Sequence, residues 1–400
     1  MKILKVSIIL LLVLSLVSGC WNRRELSELV IALAIGLDKT DDGFRFTVQL
    51  INPTVSSEAT KKGAVGSTVR TISAEGQTLF SAWRKLTKKS PRKTYFAHVQ
   101  LLVLQEKLVK EDISKFLDPL IRDHDFRTDF YVLVSKENNA KEILTTLTFL
   151  EPIPALSLKS MLAASNENLG TATVYEFDEV LEDLKTKGKE LVISGVRVKG
   201  DPEEGSMVPS TETSNPKSYL MLEDLAVFKE SKIIGWFNED QSKGYNYSQG
   251  RMKSTAEVLS CPMNKEGKLT VEIIRSNASM DAKLIKGVPK LTIDVEAEGN
   301  IVDVECKLDP SDLKILKEIE KDLTKKIKSE IKETIQVSQE EFQSDTLGFG
   351  SVVHRKEPAY WRKNKDRWAD LFPEIQYDIK VSAKVRNTGS LGQSLSEKGG

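Results

Sequence analysis

The feature that most constrains this chain is a predominantly apolar run near its N-terminus, from Val6 to Leu16. Lys2 and Lys5 precede the run, and small residues follow it, which is the order of an export signal. As a helix, eleven residues would span about 16 Å, against the roughly 30 Å of a hydrocarbon core. The run therefore predicts a leader over residues 1–19, not a membrane span, and a body that folds outside the membrane.

The predicted leader ends at a cysteine. Residues 16–20 read Leu-Val-Ser-Gly-Cys, which resembles the bacterial lipobox, with Val17 where leucine is commoner. The thiol of Cys20 is the side chain that can form a thioether to diacylglycerol. We therefore expect Cys20 to be an N-palmitoyl, S-diacylglycerol cysteine, because stable anchoring takes more than one acyl chain. The alternative is a plain signal peptide with an incidental cysteine, which the position at the end of the apolar run disfavours.

Composition excludes one class of partner. The 400 residues include 58 lysines and arginines and 58 aspartates and glutamates, so the whole-chain field is close to zero. Removing the leader would delete only Lys2 and Lys5 among the charged residues, which leaves a mildly acidic mature chain. Nucleic acid is therefore not expected as a partner.

The first half of the chain alternates strand and helix patterns, which predicts a mixed sheet with helices packed on it. The predicted strands are 29–38, 44–53, 96–104, 130–134 and 191–198, the predicted helices include 75–89 and 112–123, and 54–66 is a polar loop. The helix over 75–89 ends in a basic segment that continues to Lys93. This segment is either a patch for anionic lipid headgroups or a partner, or a solvated helix end. We favour the solvated helix end.

The second half follows a polar stretch rich in proline and glycine. Residues 199–217 are predicted to be a linker. A hairpin over 225–237, alternating strands and a closing strand over 375–385 favour mainly antiparallel pairing. A long helix is expected to begin with Asp309 as N-cap and Pro310 as its first residue, to run about 50 Å and to end near Phe342. A second helix should carry Trp361, Trp368 and Phe372.

These patterns predict an α+β, multidomain chain, with mixed sheets and packed helices in the N-terminal half and mainly antiparallel strands plus one long helix in the C-terminal half. The predicted domains are 20–198 and 218–390, joined by the linker, and residues 391–400 form a disordered tail. The sequence leaves open whether residues 218–390 form one unit or two.

Motifs for catalysis or metal binding are absent from the sequence. The three histidines do not stand at metal-ligand spacing from one another or from a cysteine, and Ser311 to Lys314 matches S-x-x-K only as the start of a helix. We therefore predict no catalytic residue, no metal and no cofactor. Cys261 and Cys306 remain once Cys20 is lipidated, and the sequence does not decide between a disulfide and two buried thiols.

Two regions of the sequence resemble one family. The segment Gly19 to Leu26 and the apolar run that ends at Asp38 resemble the start of the Ger(x)C lipoproteins, with Asn22 where the family usually has aspartate. In the second half, residues 342–350, the proline-tryptophan pattern over 358–372 and the Cys261-Pro262 pair are similar to the same family. The resemblance covers nearly the whole chain from Cys20 to about residue 390.

The resemblance implies a non-enzymatic lipoprotein subunit of a spore nutrient germinant receptor. It would be lipid-anchored on the outer face of the spore's inner membrane, would assemble with two integral-membrane subunits and would not bind a small molecule itself. Asp345, Gly348 and Phe349, at the end of the long helix, are the candidates for an exposed partner contact. Two other classes are an extracytoplasmic solute-binding lipoprotein, which needs two lobes of similar topology, and an envelope hydrolase, which lacks its motifs.

Overall fold

The computed structural model describes residues 28–51, 68–262, 267–306, 308 and 312–387. The leader, Cys20, the predicted loop 54–66, Asp309, Pro310 and the predicted tail lie outside the described residues. None of the helices in the described ranges combines the length and the hydropathy that crossing a bilayer requires.

The first sheet has nine strands in the described part of the chain. Their order is β3-β2-β1-β5-β6-β7-β8-β9, and β4 pairs with the start of β1 beside β5. Strands β1, β5, β6 and β7 are parallel, while β2, β3, β8 and β9 extend the two edges antiparallel. The strands are β1 (Leu29–Thr40), β2 (Gly43–Ile51), β3 (Val69–Gly76), β4 (Lys93–Tyr95), β5 (Leu101–Gln105), β6 (Tyr131–Ser135), β7 (Val192–Lys199), β8 (Tyr219–Lys229) and β9 (Lys232–Trp236).

Helices cover both faces of this sheet, as predicted. Leu102 and Leu104 of β5 belong to one buried cluster, whereas Leu101 and Val103 belong to another, because alternate residues of a strand point to opposite faces. The predicted helix 75–89 begins only at Leu79, after β3 ends at Gly76. The helices of this half are α1 (Leu79–Lys85), α2 (Glu106–Val109), α3 (Ser114–Arg122), α4 (Ala140–Thr145), α5 (Pro154–Asn168), α6 (Phe177–Lys185) and α7 (Pro202–Gly205).

Residues 199–217 do not separate two sheets. They connect β7 to its antiparallel neighbour β8, with Lys199 opposite Tyr219, and contain α7 and a 3-10 turn, Val208–Thr211. The hairpin predicted for the second half is present, but β8 and β9 extend the first sheet. The expectation placed this hairpin in a separate second half. It was wrong because the polar composition of residues 199–217 does not indicate which strand the following strand, β8, pairs with. The division into domains 20–198 and 218–390 stays a prediction.

The second sheet packs against the long helix. Its order is β10-β11-β12-β13, antiparallel except for the parallel pair β12 and β13. The α+β fold, with a long helix in the C-terminal half, is therefore confirmed. The elements are α8 (Glu239–Ser248), β10 (Thr255–Ser260), β11 (Lys268–Ile285), β12 (Val288–Val304), α9 (Leu313–Gln336), α10 (Phe349–Lys356), α11 (Pro358–Asn364), α12 (Trp368–Leu371) and β13 (Gln376–Asn387).

Two helix predictions for this half differ from the structure. The N-cap of α9 is Asp312, whose side chain accepts from the backbone N–H of Lys314 at 2.8 Å, so the helix starts later than predicted. Its 24 residues span about 36 Å at about 1.5 Å each. Trp361 and Trp368 lie on separate short helices, because the chain forms a 3-10 turn at Lys365–Arg367 between them.

Candidate functional site at the seam between the sheets

The segment that follows α9 is organised around a buried carboxylate. Asp345 is only 4% exposed, and its Oδ atoms accept from the backbone N–H of Phe349 at 2.8 Å and of Gly350 at 2.7 Å. The indole Nε1–H of Trp368 donates to the same carboxylate at 2.8 Å. Burial raises the pKa of Asp345 to about 6, although these three hydrogen bonds act in the opposite direction. One side chain therefore joins the end of α9, the start of α10 and the tryptophan helix α12.

The expectation that this turn is exposed is wrong. Asp345, Gly348 and Phe349 are all buried, and the Phe349 ring packs against Phe372 with centroids 6.0 Å apart. Gly348 has a φ of 75°, which favours glycine, and this lets the chain turn inward at the start of α10. The turn residues were misjudged because Ser, Asp and Gly usually mark solvent-exposed loops. Their part in partner contact stays a prediction.

The turn joins the two sheets. The backbone N–H of Glu190 donates to the Asp345 carbonyl at 2.9 Å, and the N–H of Ser351 donates to the Gly188 carbonyl at 2.9 Å. The Ser344 hydroxyl donates to the carbonyl of Phe228, in β8, at 2.6 Å. The segment 342–351 is therefore held by the loop that precedes β7 and by a strand of the first sheet, which makes it the seam between the sheets.

A cavity of about 360 Å³ opens at this seam. Residues 183–191, 229–231 and 365–372 contribute to its lining, together with Asp345. Lys189 pairs with Asp183 at 2.8 Å, and Lys187 pairs with Asp366 across the seam at 2.8 Å. The lining is thus charged, and two ion pairs lie within it. It suits a polar or charged group, such as a side chain of a partner, better than an apolar ligand.

Glu190 has a pKa close to neutral pH. Burial and the nearby charge of Asp345 together raise this pKa to about 7, although a hydrogen bond from the backbone N–H of Glu230 at 3.0 Å acts in the opposite direction. The charge of the cavity consequently changes near neutral pH. Within the described ranges, no set of His, Cys, Asp or Glu side chains has the arrangement of a metal site.

A second buried polar cluster was not predicted from the sequence. Glu257 of β10 and Glu330 of α9 are both buried, and the Tyr247 hydroxyl donates to Glu257 at 2.9 Å. Lys326 Nζ lies 3.0 Å from Glu330 Oε1 and 3.0 Å from Asp240 of α8. The only available signal was the four-residue spacing of Lys326 and Glu330. Asp322 of the same helix pairs with Lys325 at 2.8 Å.

Burial dominates the protonation of this cluster. It raises the pKa of Glu330, and the neighbouring Glu257 raises it further, while Lys326 acts in the opposite direction. Burial likewise raises the pKa of Glu257 against the opposing influence of Lys243 and Tyr247. Ionising both of two carboxyl groups in one buried site costs much free energy. The Glu257 and Glu330 pair therefore keeps a proton at a pH where an exposed glutamate is deprotonated.

Cys261 and Cys306 form a disulfide. Cys261 follows β10, Cys306 follows β12, and their Cα atoms lie 6.4 Å apart. The bond therefore joins the ends of two strands that do not pair directly, because β11 lies between them. The sequence left this pairing open, since nothing in it places residue 261 beside residue 306.

Comparisons with known proteins agree with this architecture. A family model described as "Spore germination protein N-terminal domain" matches residues 22–198, and one described as "Spore germination B3/ GerAC like, C-terminal" matches residues 223–389. Spore germination protein KC of Bacillus subtilis (strain 168) is 31% identical over 389 residues, which cover 96% of this chain and 95% of the relative. Spore germination protein B3 of the same organism is 22% identical over 404 residues, which cover 97% and 99%.

A solved structure shares the fold. The crystal structure of the GerBC protein matches with a TM-score of 0.54 at 19% identity, over 88% of this chain and 97% of that chain. The two family models together span both sheets and the seam between them, and one relative is similar over nearly its whole length. The resemblance seen in the sequence is thereby confirmed, and the chain belongs to the Ger(x)C family of spore germination proteins.

Proposed function

We propose that this chain is the lipoprotein subunit of a spore nutrient germinant receptor. In this proposal Cys20 carries the lipid, the folded body lies on the outer face of the spore's inner membrane, and the chain acts by assembly with two integral-membrane subunits and not by catalysis. The observation that supports it most is the family match over both halves, together with five curated relatives that are named as spore germination proteins, one of them as putative.

The seam is the region we propose for partner contact. Two ion pairs lie in the lining of its cavity, so a charged side chain of a partner can replace one member of such a pair. Lys187 and Asp366 are mostly exposed and pair across the two sheets, which makes them accessible to such an exchange. Asp345, Gly348 and Phe349 lie beneath and hold the seam together. Their contribution to assembly is therefore expected to be indirect.

A solute-binding lipoprotein remains less well supported. That class needs two lobes of similar topology, whereas this chain has a nine-stranded mixed sheet and a four-stranded sheet with one long helix. Neither sheet repeats the strand order of the other. The charged cavity at the seam therefore has no matching half-sites.

The decisive experiment is deletion of the gene, followed by germination assays on individual nutrients and complementation. We expect loss of response to one nutrient class, restoration by the wild-type gene and no restoration by Cys20→Ala. The complementing protein should co-purify with two membrane subunits from detergent extracts. Full germination of the deletion strain on every nutrient, together with no membrane partner in the purification, would refute the proposal.

A further inference from the structure

Four strand ends meet where the chain enters the first sheet. Leu29, the first residue of β1, lies opposite Lys93 of β4. On the other side of β1, the last residue of β2 pairs with Val69, the first residue of β3. We call this surface, from Lys93 across to Thr68, the entry end. Neighbouring strands lie about 4.8 Å apart, so this surface is about 14 Å wide from β4 to β3.

The segment 84–93, which leads to the entry end, is strongly basic. The chain has no acidic residue between Glu75 and Glu106, and residues 84–93 contain six lysines and arginines. Lys88, Lys89 and Arg92 are exposed, and within the described ranges no carboxylate pairs with them. Their neighbour Lys93 is paired with Asp125 at 2.8 Å. The segment therefore carries unneutralised positive charge along the edge of β3, where Lys85 and Lys89 reach Glu75 and Ser73, and on towards Lys93 at the entry end.

Part of this charge has a structural task. Lys85 Nζ donates to the Glu75 carbonyl at 2.9 Å, and Lys89 Nζ donates to the Ser73 carbonyl at 2.7 Å, so both cover the free edge of β3. Carbonyls accept these bonds without neutralising the ammonium groups. Lys88 and Arg92 are not bound in this way in the described part of the chain, and edge protection does not explain them.

The other side of the entry end presents apolar side chains to water. The loop between α4 and α5 carries Phe149, 61% exposed, and Leu150, 84% exposed. The loop is held there because the Thr68 hydroxyl donates to the Pro152 carbonyl at 2.7 Å, directly before β3. Large apolar side chains exposed to this degree gain free energy by leaving water, and their position is defined by the hydrogen bond.

The covalent anchor would lie at the same end. Cys20 precedes Leu29 by nine residues, which reach about 30 Å at most when fully extended. We propose that the entry end and the adjoining basic segment form one membrane-contact surface, on which Lys88, Lys89 and Arg92 bind anionic lipid headgroups and Phe149 and Leu150 enter the interface. This rests on the proposed lipid anchoring. The combination of cations, apolar tips and the tether favours a bilayer as the partner, because interfacial binding uses both attractions.

The test uses the mature chain, residues 20–400, with Cys20→Ala so that acyl chains do not contribute. Its binding is measured by co-sedimentation with vesicles of phosphatidylcholine alone and of equal phosphatidylcholine and phosphatidylglycerol. We expect binding to the anionic vesicles only, weakened by high salt. The double variant Lys88→Glu/Arg92→Glu should bind about thirtyfold more weakly, from roughly five- to sixfold for each cation near the surface.

The exposed side chains of Phe149 and Leu150 are tested separately by Phe149→Ser/Leu150→Ser, which should weaken binding to the vesicles at every salt concentration. Lys283→Glu/Lys286→Glu changes two exposed lysines, one near the end of β11 and one in the turn that follows it; this variant is the matched charge control and should bind like the parent chain. No binding to anionic vesicles, or equal binding by all variants, would overturn the proposal. So would loss of receptor assembly in the Phe149/Leu150 variant without any change in vesicle binding, because the surface would then contact a protein. Mass analysis of Cys20 in the native protein tests the anchor independently.

Discussion

The disulfide between Cys261 and Cys306 provides the sharpest test of the second sheet. Reducing the bond opens a loop whose ends are 45 residues apart in the sequence and which contains the whole of β11 and β12. The chain-entropy model relates the stabilisation to loop length and yields about 4 kcal/mol for a loop of this size. Since domains are stable by only about 5 to 15 kcal/mol, the second sheet should lose a large share of its stability.

The assay is urea unfolding of the protein with and without reductant, followed by tryptophan fluorescence and circular dichroism. We expect reductant to lower the free energy of unfolding of the wild-type chain by about 4 kcal/mol. The double variant Cys261→Ala/Cys306→Ala serves as the control. It should unfold at low urea under both conditions, because it has no bond to reduce.

The signal should come from the second sheet, since Trp361 and Trp368 pack in its core together with both cysteines. A change below about 1 kcal/mol on reduction would refute the reasoning. So would an equal response to reductant in the double variant. Titration of free thiols in the unfolded, unreduced protein checks the premise, because neither cysteine should react.

Three further predictions concern the seam and the buried cluster. Asp345→Ala leaves three buried donors without an acceptor and should lower the free energy of unfolding by about 3 kcal/mol in urea titration; a loss below 1 kcal/mol would contradict the hydrogen-bond network. Gly350→Ala places a Cβ 2.6 Å from the Gly188 Cα and should lower the melting temperature, as overpacking costs about 1 to 3 kcal/mol; an unchanged melting temperature would show that the seam can open. Because folding raises the pKa of Glu330, its contribution to stability is fully present below about pH 4.5 and is lost as pH rises through the folded pKa. Stability should therefore fall between about pH 5 and 9, and Glu330→Gln, but not the exposed control Glu318→Gln, should flatten this slope; equal slopes in both variants would contradict the assignment.

The local patterns of this sequence predicted most elements well. The continuous apolar run of β5, the alternation of apolar residues along β12 and the helical stripe from Leu323 to Ile335 depend only on which sides of one element face a core. The fold class follows from such elements, and the family resemblance followed from residues near Cys20 and in the tryptophan segment. Helix starts were less accurate, because Asp309 and Asp312 are both good N-caps and the sequence offers both.

The candidate site was only partly predictable. Asp345 was identified, but as an exposed contact, because the donors that bury it come from Phe349, Gly350 and the distant Trp368. The Glu257 and Glu330 pair was missed because its members lie on different elements, and a lone glutamate in a pattern normally indicates a solvated face.

The sequence alone determined the periodicity of the strands, the amphipathic stripe of α9 and the absence of catalytic motifs, and it predicted an export signal, since each is a property of residues close together in the chain. Tertiary structure alone decided that β8 and β9 join the first sheet, that Cys261 meets Cys306, and that the Asp345 turn is buried at the seam. These outcomes depend on which distant segments pack together. Pairing, burial and desolvation are properties of that packing, and no local pattern encodes them.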